Sequence, residues 1–157
     1  MKLKGLIDED FANYKKPSMF LIFPSCTFKC EKECGEHCCQ NSALAHEPNI
    51  NIEIETIVNR YMKNEITSAI VCGGMEPIDS WEDLFQFVTC LRSKTLDDIV
   101  IYTGFREDEI ESKVNQLKQF PNIIIKFGRF IPNQNSHHDQ VLGIHLSSDN
   151  QYAKVVS

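Results

Sequence analysis

Four short apolar runs, Met19 to Phe23, Ala69 to Val71, Ile99 to Tyr102 and Ile123 to Ile125, alternate with segments whose apolar residues recur at helical spacing. Ile54, Ile57, Val58, Tyr61 and Met62 mark a helix over Ile52 to Met62. Trp81, Leu84, Phe85, Val88 and Leu91 mark a second after Pro77, with Asp79 or Ser80 as its cap. Ile110, Val114 and Leu117 mark a third over Glu107 to Leu117, whose acidic start suits a helix amino terminus. Strand and helix alternating in this way require crossover connections, which build a largely parallel sheet covered by helices. Val141 to Leu146 and Ala153 to Val156 read as short terminal strands. No repeat, low-complexity tract or linker interrupts the sequence, so residues 1–157 are expected to form a single domain. A barrel closed by eight strand-helix units needs about 250 residues, so the expected α/β fold is an incomplete parallel (β/α) barrel of about five or six strands.

Each of the four runs ends in a chemically distinctive segment. The loop PSCTFKCEKECGEHCCQN follows the first, Gly73 and Gly74 the second, Thr103 and Gly104 the third, and Gly128 and Arg129 the fourth. Ligands of parallel α/β sheets bind at the carboxyl ends of the strands, so these segments are expected to line one site. The formal net charge of −6 argues against an electrostatic footprint on nucleic acid or on an anionic membrane surface. The longest apolar stretches fall far short of a membrane span and no signal segment is legible, so a cytoplasmic location is expected.

Five of the seven cysteines, Cys26, Cys30, Cys34, Cys38 and Cys39, crowd the first of these loops. A chain of this length buries a core without covalent staples, and in a reducing cytosol clustered cysteines serve as ligands or reactive thiols. Thiolates select iron-sulfur clusters, zinc or Cu(I). Zinc is one alternative, with Cys34, His37, Cys38 and Cys39 as a closed four-ligand set; zinc motifs, however, usually draw two short-spaced pairs from separate turns. A thiol redox centre is disfavoured because no CxxC pair is present. Cys72 and Cys90 read as small buried hydrophobes, and His137 and His138 as exposed loop residues.

Cys26 and Cys30, a CxxxC directly after the first strand, resemble the start of the radical S-adenosylmethionine signature. Members of that superfamily hold a 4Fe-4S cluster by three cysteines, usually spaced CxxxCxxC. The fourth iron stays open to chelate the amino and carboxylate groups of S-adenosylmethionine. Here Glu33 stands at the third position. On one helical ribbon Cys26 and Cys34 would lie about 12 Å apart, too far for one cluster unless the loop curls. In the anaerobic reductase activases of the superfamily the third cysteine is followed by one residue and then asparagine, as are Cys39, Gln40 and Asn41 here. The resemblance therefore implies Cys26, Cys30 and Cys39 as metal ligands, with Cys34 and Cys38 as rivals for the third place, on a loop enlarged by Glu31 to Glu36.

Cys72, Gly73, Gly74, Met75 and Glu76 resemble the superfamily's second motif, in which glycines let the backbone approach the methionine end of S-adenosylmethionine and a glutamate accepts from its ammonium group. Met75 intervenes where the glutamate usually follows at once. Ile101 to Phe105, Gly128 to Ile131 and Ser148 to Gln151 are similar to segments of the small activating proteins of anaerobic (class III) ribonucleotide reductases, with Phe127 where an aspartate is usual. The resemblance implies a radical-SAM-like fold and an oxidoreductase that binds a 4Fe-4S cluster and S-adenosylmethionine. Gly73, Gly74, Glu76, Thr103 and Gly104 are then cofactor-binding residues, and no acid or base is required. The implied partners are a glycyl radical enzyme as protein substrate and a low-potential electron donor such as a flavodoxin. Two alternatives stand beside it: a related radical enzyme with another substrate, and a zinc-stabilised α/β binding module without catalysis.

Overall fold

The four apolar runs form the parallel centre of a six-stranded sheet in the computed structural model, which describes all 157 residues. The strands are β1 (Lys2–Leu3), β2 (Gly5–Asp10), β3 (Ser18–Phe23), β4 (Ile50–Asn51), β5 (Ala69–Gly74), β6 (Asp98–Tyr102), β7 (Ile123–Phe127), β8 (His137–Asp139), β9 (Ile144–Leu146) and β10 (Tyr152–Val155). The helices are α1 (Lys29–Cys34), α2 (Ile54–Met62), α3 (Trp81–Arg92) and α4 (Glu111–Leu117). The sheet order is β10-β7-β6-β5-β3-β2. Strands β3, β5, β6 and β7 pair in parallel, while β2 and β10 close the two edges in antiparallel fashion. The sheet is open, since β10 and β2 do not meet.

Alternation along the strands divides the interior into two layers. Met19, Leu21, Phe23, Ile70, Cys72, Ile99, Ile101, Ile123, Ile125 and Phe127 pack against α2, α3 and α4 through Ile57, Val58, Tyr61, Leu84, Phe87, Val88, Leu91, Val114 and Leu117. The intervening residues Ala69, Val71, Val100 and Ile124 face the other way, onto Tyr14, Leu142 and Leu146. Each parallel strand is laid beside its predecessor, so crossovers of one hand bring α2, α3 and α4 to the same face, while the short α1 lies at the carboxyl edge of the sheet. The opposite face is covered by the β2–β3 connection and the β8–β9 hairpin. Burial on both faces explains why β5 reads as an unbroken apolar run and β7 as one interrupted only by Lys126. Each fully buried aliphatic side chain contributes about 1.5–3 kcal/mol.

Several expectations shift in detail. The first long helix starts at Ile54 and not at Ile52, because the Ile52 amide donates to Met1 O beside the β1–β4 pair. Neither Asp79 nor Ser80 caps α3 through its side chain. The Glu76 carboxylate instead accepts from Ile78 N and sets up a 3-10 turn over Pro77–Ser80. The third helix is split, with a 3-10 turn at Glu107–Ile110 ahead of α4, where the Glu109 carboxylate accepts the Arg106 amide at 2.8 Å and Arg106 O accepts the Glu109 amide. Of the Val141 to Leu146 strand only Ile144–Leu146 forms; Asp139 holds the Leu142 and Gly143 amides in a turn. β2 was hidden by its acidic residues, which raise no strand signal on an edge. No helix is long and apolar enough to cross a membrane.

Candidate metal centre

The carboxyl ends of β3, β5, β6 and β7 open into one cavity of about 460 Å³. Cys26, Cys30, Cys39, Gly74, Glu76, Thr103 and Gly104 all line it. Gly73 does not: it lies within β5, and a Cβ there would stand 3.0 Å from the Phe20 ring. Its role is to let β5 lie flat against Phe20. Gly74, at φ +80, ends the strand in a left-handed conformation where a Cβ would meet Ile22 at 2.5 Å, so only glycine fits.

The cysteine loop is held by backbone and carboxylate contacts. Phe28 takes a left-handed φ of 52 and reverses the chain between Cys26 and Cys30. Asp79 accepts the Thr27 amide at 2.7 Å, and Ser25 O accepts the Glu76 amide at 2.9 Å, so the turn after β5 clamps the loop after β3. Cys30 lies in the first turn of α1 beside Cys39, whose amide donates to Glu31 Oε1 at 3.3 Å. Asn41 donates from Nδ2 to Gly74 O at 2.8 Å. The asparagine two residues after Cys39 thus ties that cysteine's segment to the glycine strand end. Burial pushes the Cys26 thiol up to about 12, against the pull of the Phe28 amide. Burial and neighbouring Cys39 also raise Cys30.

Cys34 and Cys38 stand apart. They do not line the cavity, and their sulfurs lie 2.7 Å from each other. The alternative zinc set is not assembled, because His37 is 98% exposed with Nδ1 toward Glu31, and Cys39 sits with Cys30. No three His, Cys, Asp or Glu side chains converge as they do around a single ion. Three thiols distributed around one cavity fit a larger thiolate-bound group, the donor chemistry of an iron-sulfur cluster.

Glu76 joins the ends of β5 and β6. Its Oε2 accepts the Gly104 amide at 2.8 Å, its Oε1 accepts the Ile78 amide at 3.1 Å, and the Thr103 hydroxyl adds a third bond. Burial nevertheless pushes the carboxyl up to about 7. With roughly four acceptor sites on a carboxylate, one remains for a ligand in the cavity. Lys126, on the inner face of β7, lines the same cavity; burial lowers it to about 8, and its Nζ donates to Gly128 O at 2.8 Å. Sequence reasoning missed Lys126, although a single lysine inside the run Ile123 to Phe127 is a signal.

Arg129 is buried, not a surface cation. Its guanidinium forks onto Glu109 at 2.8 and 2.7 Å, and its Nε faces Glu33 at 3.4 Å. Glu33, at the place of the expected third cysteine, therefore docks α1 on the β7 loop. Lys29 lies 4.3 Å above the Phe105 ring, and the Arg129 guanidinium 5.9 Å from it. Ser148, Asn150 and Gln151 brace this loop: Asn150 donates to Arg129 O at 2.8 Å, and Gln151 accepts the Ser147 and Ser148 amides.

No curated protein and no solved structure matches the chain. The 4Fe-4S single cluster domain matches residues 17–153, which take in the cysteine loop, the cavity and the bracing tail. The chain belongs to the 4Fe-4S single cluster domain family.

Proposed function

We infer that the protein is a radical S-adenosylmethionine enzyme of the glycyl-radical-activating kind. The observation that carries this reading is the shared cavity, in which Cys26, Cys30 and Cys39 face Gly74, Glu76, Thr103 and Gly104. Cys26, Cys30 and Cys39 would hold the 4Fe-4S cluster. Bound there, the cluster would supply one electron to the sulfonium of S-adenosylmethionine, which parts into methionine and a 5′-deoxyadenosyl radical. A volume of about 460 Å³ lies within the range of small-molecule sites.

The chain's own residues orient and enclose. Glu76 keeps one acceptor site toward the cavity for the ammonium group. Gly74 brings backbone close to the ligand without a side chain in the way. Lys126 offers a buried cation within the same walls, and Thr103 with Gly104 forms the side next to Glu76. Phe20, Ile22, Met75 and Phe105 give the cavity apolar wall, and a protein substrate seated over its open side would complete the exclusion of water from a reactive radical. Sequential strands with α2, α3 and α4 on one face support an incomplete barrel of the radical-SAM type. The open sheet suits a glycine-bearing loop of a glycyl radical enzyme as substrate, with a low-potential donor such as a flavodoxin as the electron source.

Anaerobic reconstitution with iron and sulfide tests the reading. A brown protein that forms 5′-deoxyadenosine when reduced with S-adenosylmethionine supports it. A colourless protein that keeps one zinc and never cleaves S-adenosylmethionine overturns it. Cleavage without a glycyl radical signal on any candidate partner directs the activity to another substrate.

A further inference from the structure

The enlarged part of the cysteine loop carries two thiols that the cavity does not use. Cys34 is the last residue of α1, and Gly35 follows at φ +76, the left-handed conformation that ends a helix and turns the chain back. The reversal returns Cys38 to Cys34, with sulfurs 2.7 Å apart. Cys34 Sγ also contacts Glu36 O at 3.2 Å, so the turn is folded around the pair. Neither sulfur lines the cavity, and both residues are half-buried and open to small solutes. Gly35 itself has nothing within 4 Å of where a Cβ would stand, so neighbouring elements leave this turn room to adjust.

We propose that Cys34 and Cys38 form a reversible redox pair, separate from the cluster ligands, that closes to a disulfide by exchange with a low-molecular-weight disulfide. One thiol, as thiolate, attacks a sulfur of the oxidant, displacing one oxidant thiol and leaving a mixed disulfide. The second thiolate then attacks the protein sulfur of that bond and displaces the other oxidant thiol. Two protein thiols are oxidised and one oxidant disulfide is reduced to two thiols; the protons lost by the pair end on the leaving thiolates. The ring closed is short, and Gly35 supplies its turn. Oxidising equivalents are thereby absorbed on the loop's outer side, while Cys26, Cys30 and Cys39 keep their places in the cavity.

The assignment rests on the placement of Cys26, Cys30 and Cys39 as the cluster ligands, and the test separates the two claims. Cluster-loaded protein is treated anaerobically with oxidised glutathione, then alkylated, digested and mapped. The expected result is the loss of two free thiols, a Cys34–Cys38 cross-link, and unchanged iron content. The double variant Cys34→Ser with Cys38→Ser should bind as much iron as the wild type and lose no thiols to the oxidant. Retained iron with no cross-link, or a cross-link through Cys30 or Cys39, overturns the pair alone. Loss of iron in the double variant overturns the pair and moves the third ligand to Cys34 or Cys38. A wild type that binds no iron overturns the cluster reading, and mapping of that protein still decides the pair: a Cys34–Cys38 cross-link supports it, and any other pattern overturns it.

Discussion

Asn150 holds Arg129 by its backbone, donating from Nδ2 to the carbonyl at 2.8 Å across 21 residues of chain. Gly128, immediately before, sits at φ +97 with Asn150 O only 2.8 Å from where a Cβ would be. Asn150→Ala should cost about 1 kcal/mol, the usual value of one hydrogen bond. Gly128→Ala should cost more, since the left-handed conformation alone costs about 1–2 kcal/mol and the clash adds to it. Urea denaturation reads both as lower midpoints at unchanged slope. A Gly128→Ala protein as stable as the Asn150→Ala protein would contradict this account.

Glu76 predicts a pH dependence with a definite sign. Its carboxyl titrates near 4.5 when unfolded and about 7 when folded, because burial disfavours the charge. Between those values the folded chain binds more protons than the unfolded one. Stability therefore falls as pH rises from about 4.5 to about 7, by on the order of 3 kcal/mol. Glu76→Gln has no proton to lose, and its amide NH2 must face one of the two backbone donors. It should be clearly less stable than the wild type near about pH 5 and close this gap by about pH 8. Denaturation at the two pH values checks it, and a constant gap would count against the buried carboxylate.

The opposite sign holds for Glu109. The Arg129 guanidinium and the Arg106 amide hold its carboxyl down at about 2. The pair's contribution is complete above the ordinary carboxylate range and is lost as pH falls through about 2. Arg129→Met should cost about 1–2 kcal/mol near neutrality, where it removes the forked partner of Glu109 but leaves Lys29 and Arg106 beside it. The difference from the wild type should shrink in acid. Urea unfolding at about pH 6 and about pH 3 measures both limbs without screening the pair.

Single substitutions of the cavity cysteines should separate ligands from bystanders. Cys26→Ala, Cys30→Ala and Cys39→Ala are each expected to lose iron and sulfide after anaerobic reconstitution, since each removes one of three thiolates around the cavity. Cys34→Ala and Cys38→Ala should retain both. Iron and sulfide determinations per chain, with far-UV circular dichroism to confirm folding, decide the matter.

The parallel centre was legible because β5, β6 and β7 are buried on both faces, and β3 on one face with Phe20 and Ile22 lining the cavity on the other, which leaves continuous apolar runs. β2 was not, because Asp8, Glu9 and Asp10 on an edge strand resemble a loop. Within the site, every expected ligand except Gly73 reaches the cavity: strand ends dictate the placement of Gly74, Glu76, Thr103 and Gly104, whereas Cys39 is brought in by the fold of its loop. The contacts that hold the ligands escaped the sequence because they cross between distant elements. Asp79 clamps Thr27 and not a helix, Glu33 meets Arg129 about a hundred residues away, and the tail meets Gly128 only once β7 and β10 are paired.

The dependence of the Gly128–Arg129 loop on Asn150 and Gln151 imposes an order of assembly. Ribosomal synthesis delivers the cysteine loop early and the β10 segment late, and the parallel ladder between them pairs residues far apart in the chain. One wall of the cavity therefore stays unsupported until β10 docks on β7. A cluster delivered to the nascent chain would meet its thiols before it met its enclosure. Maturation is thereby favoured once β10 is in place, on the finished sheet.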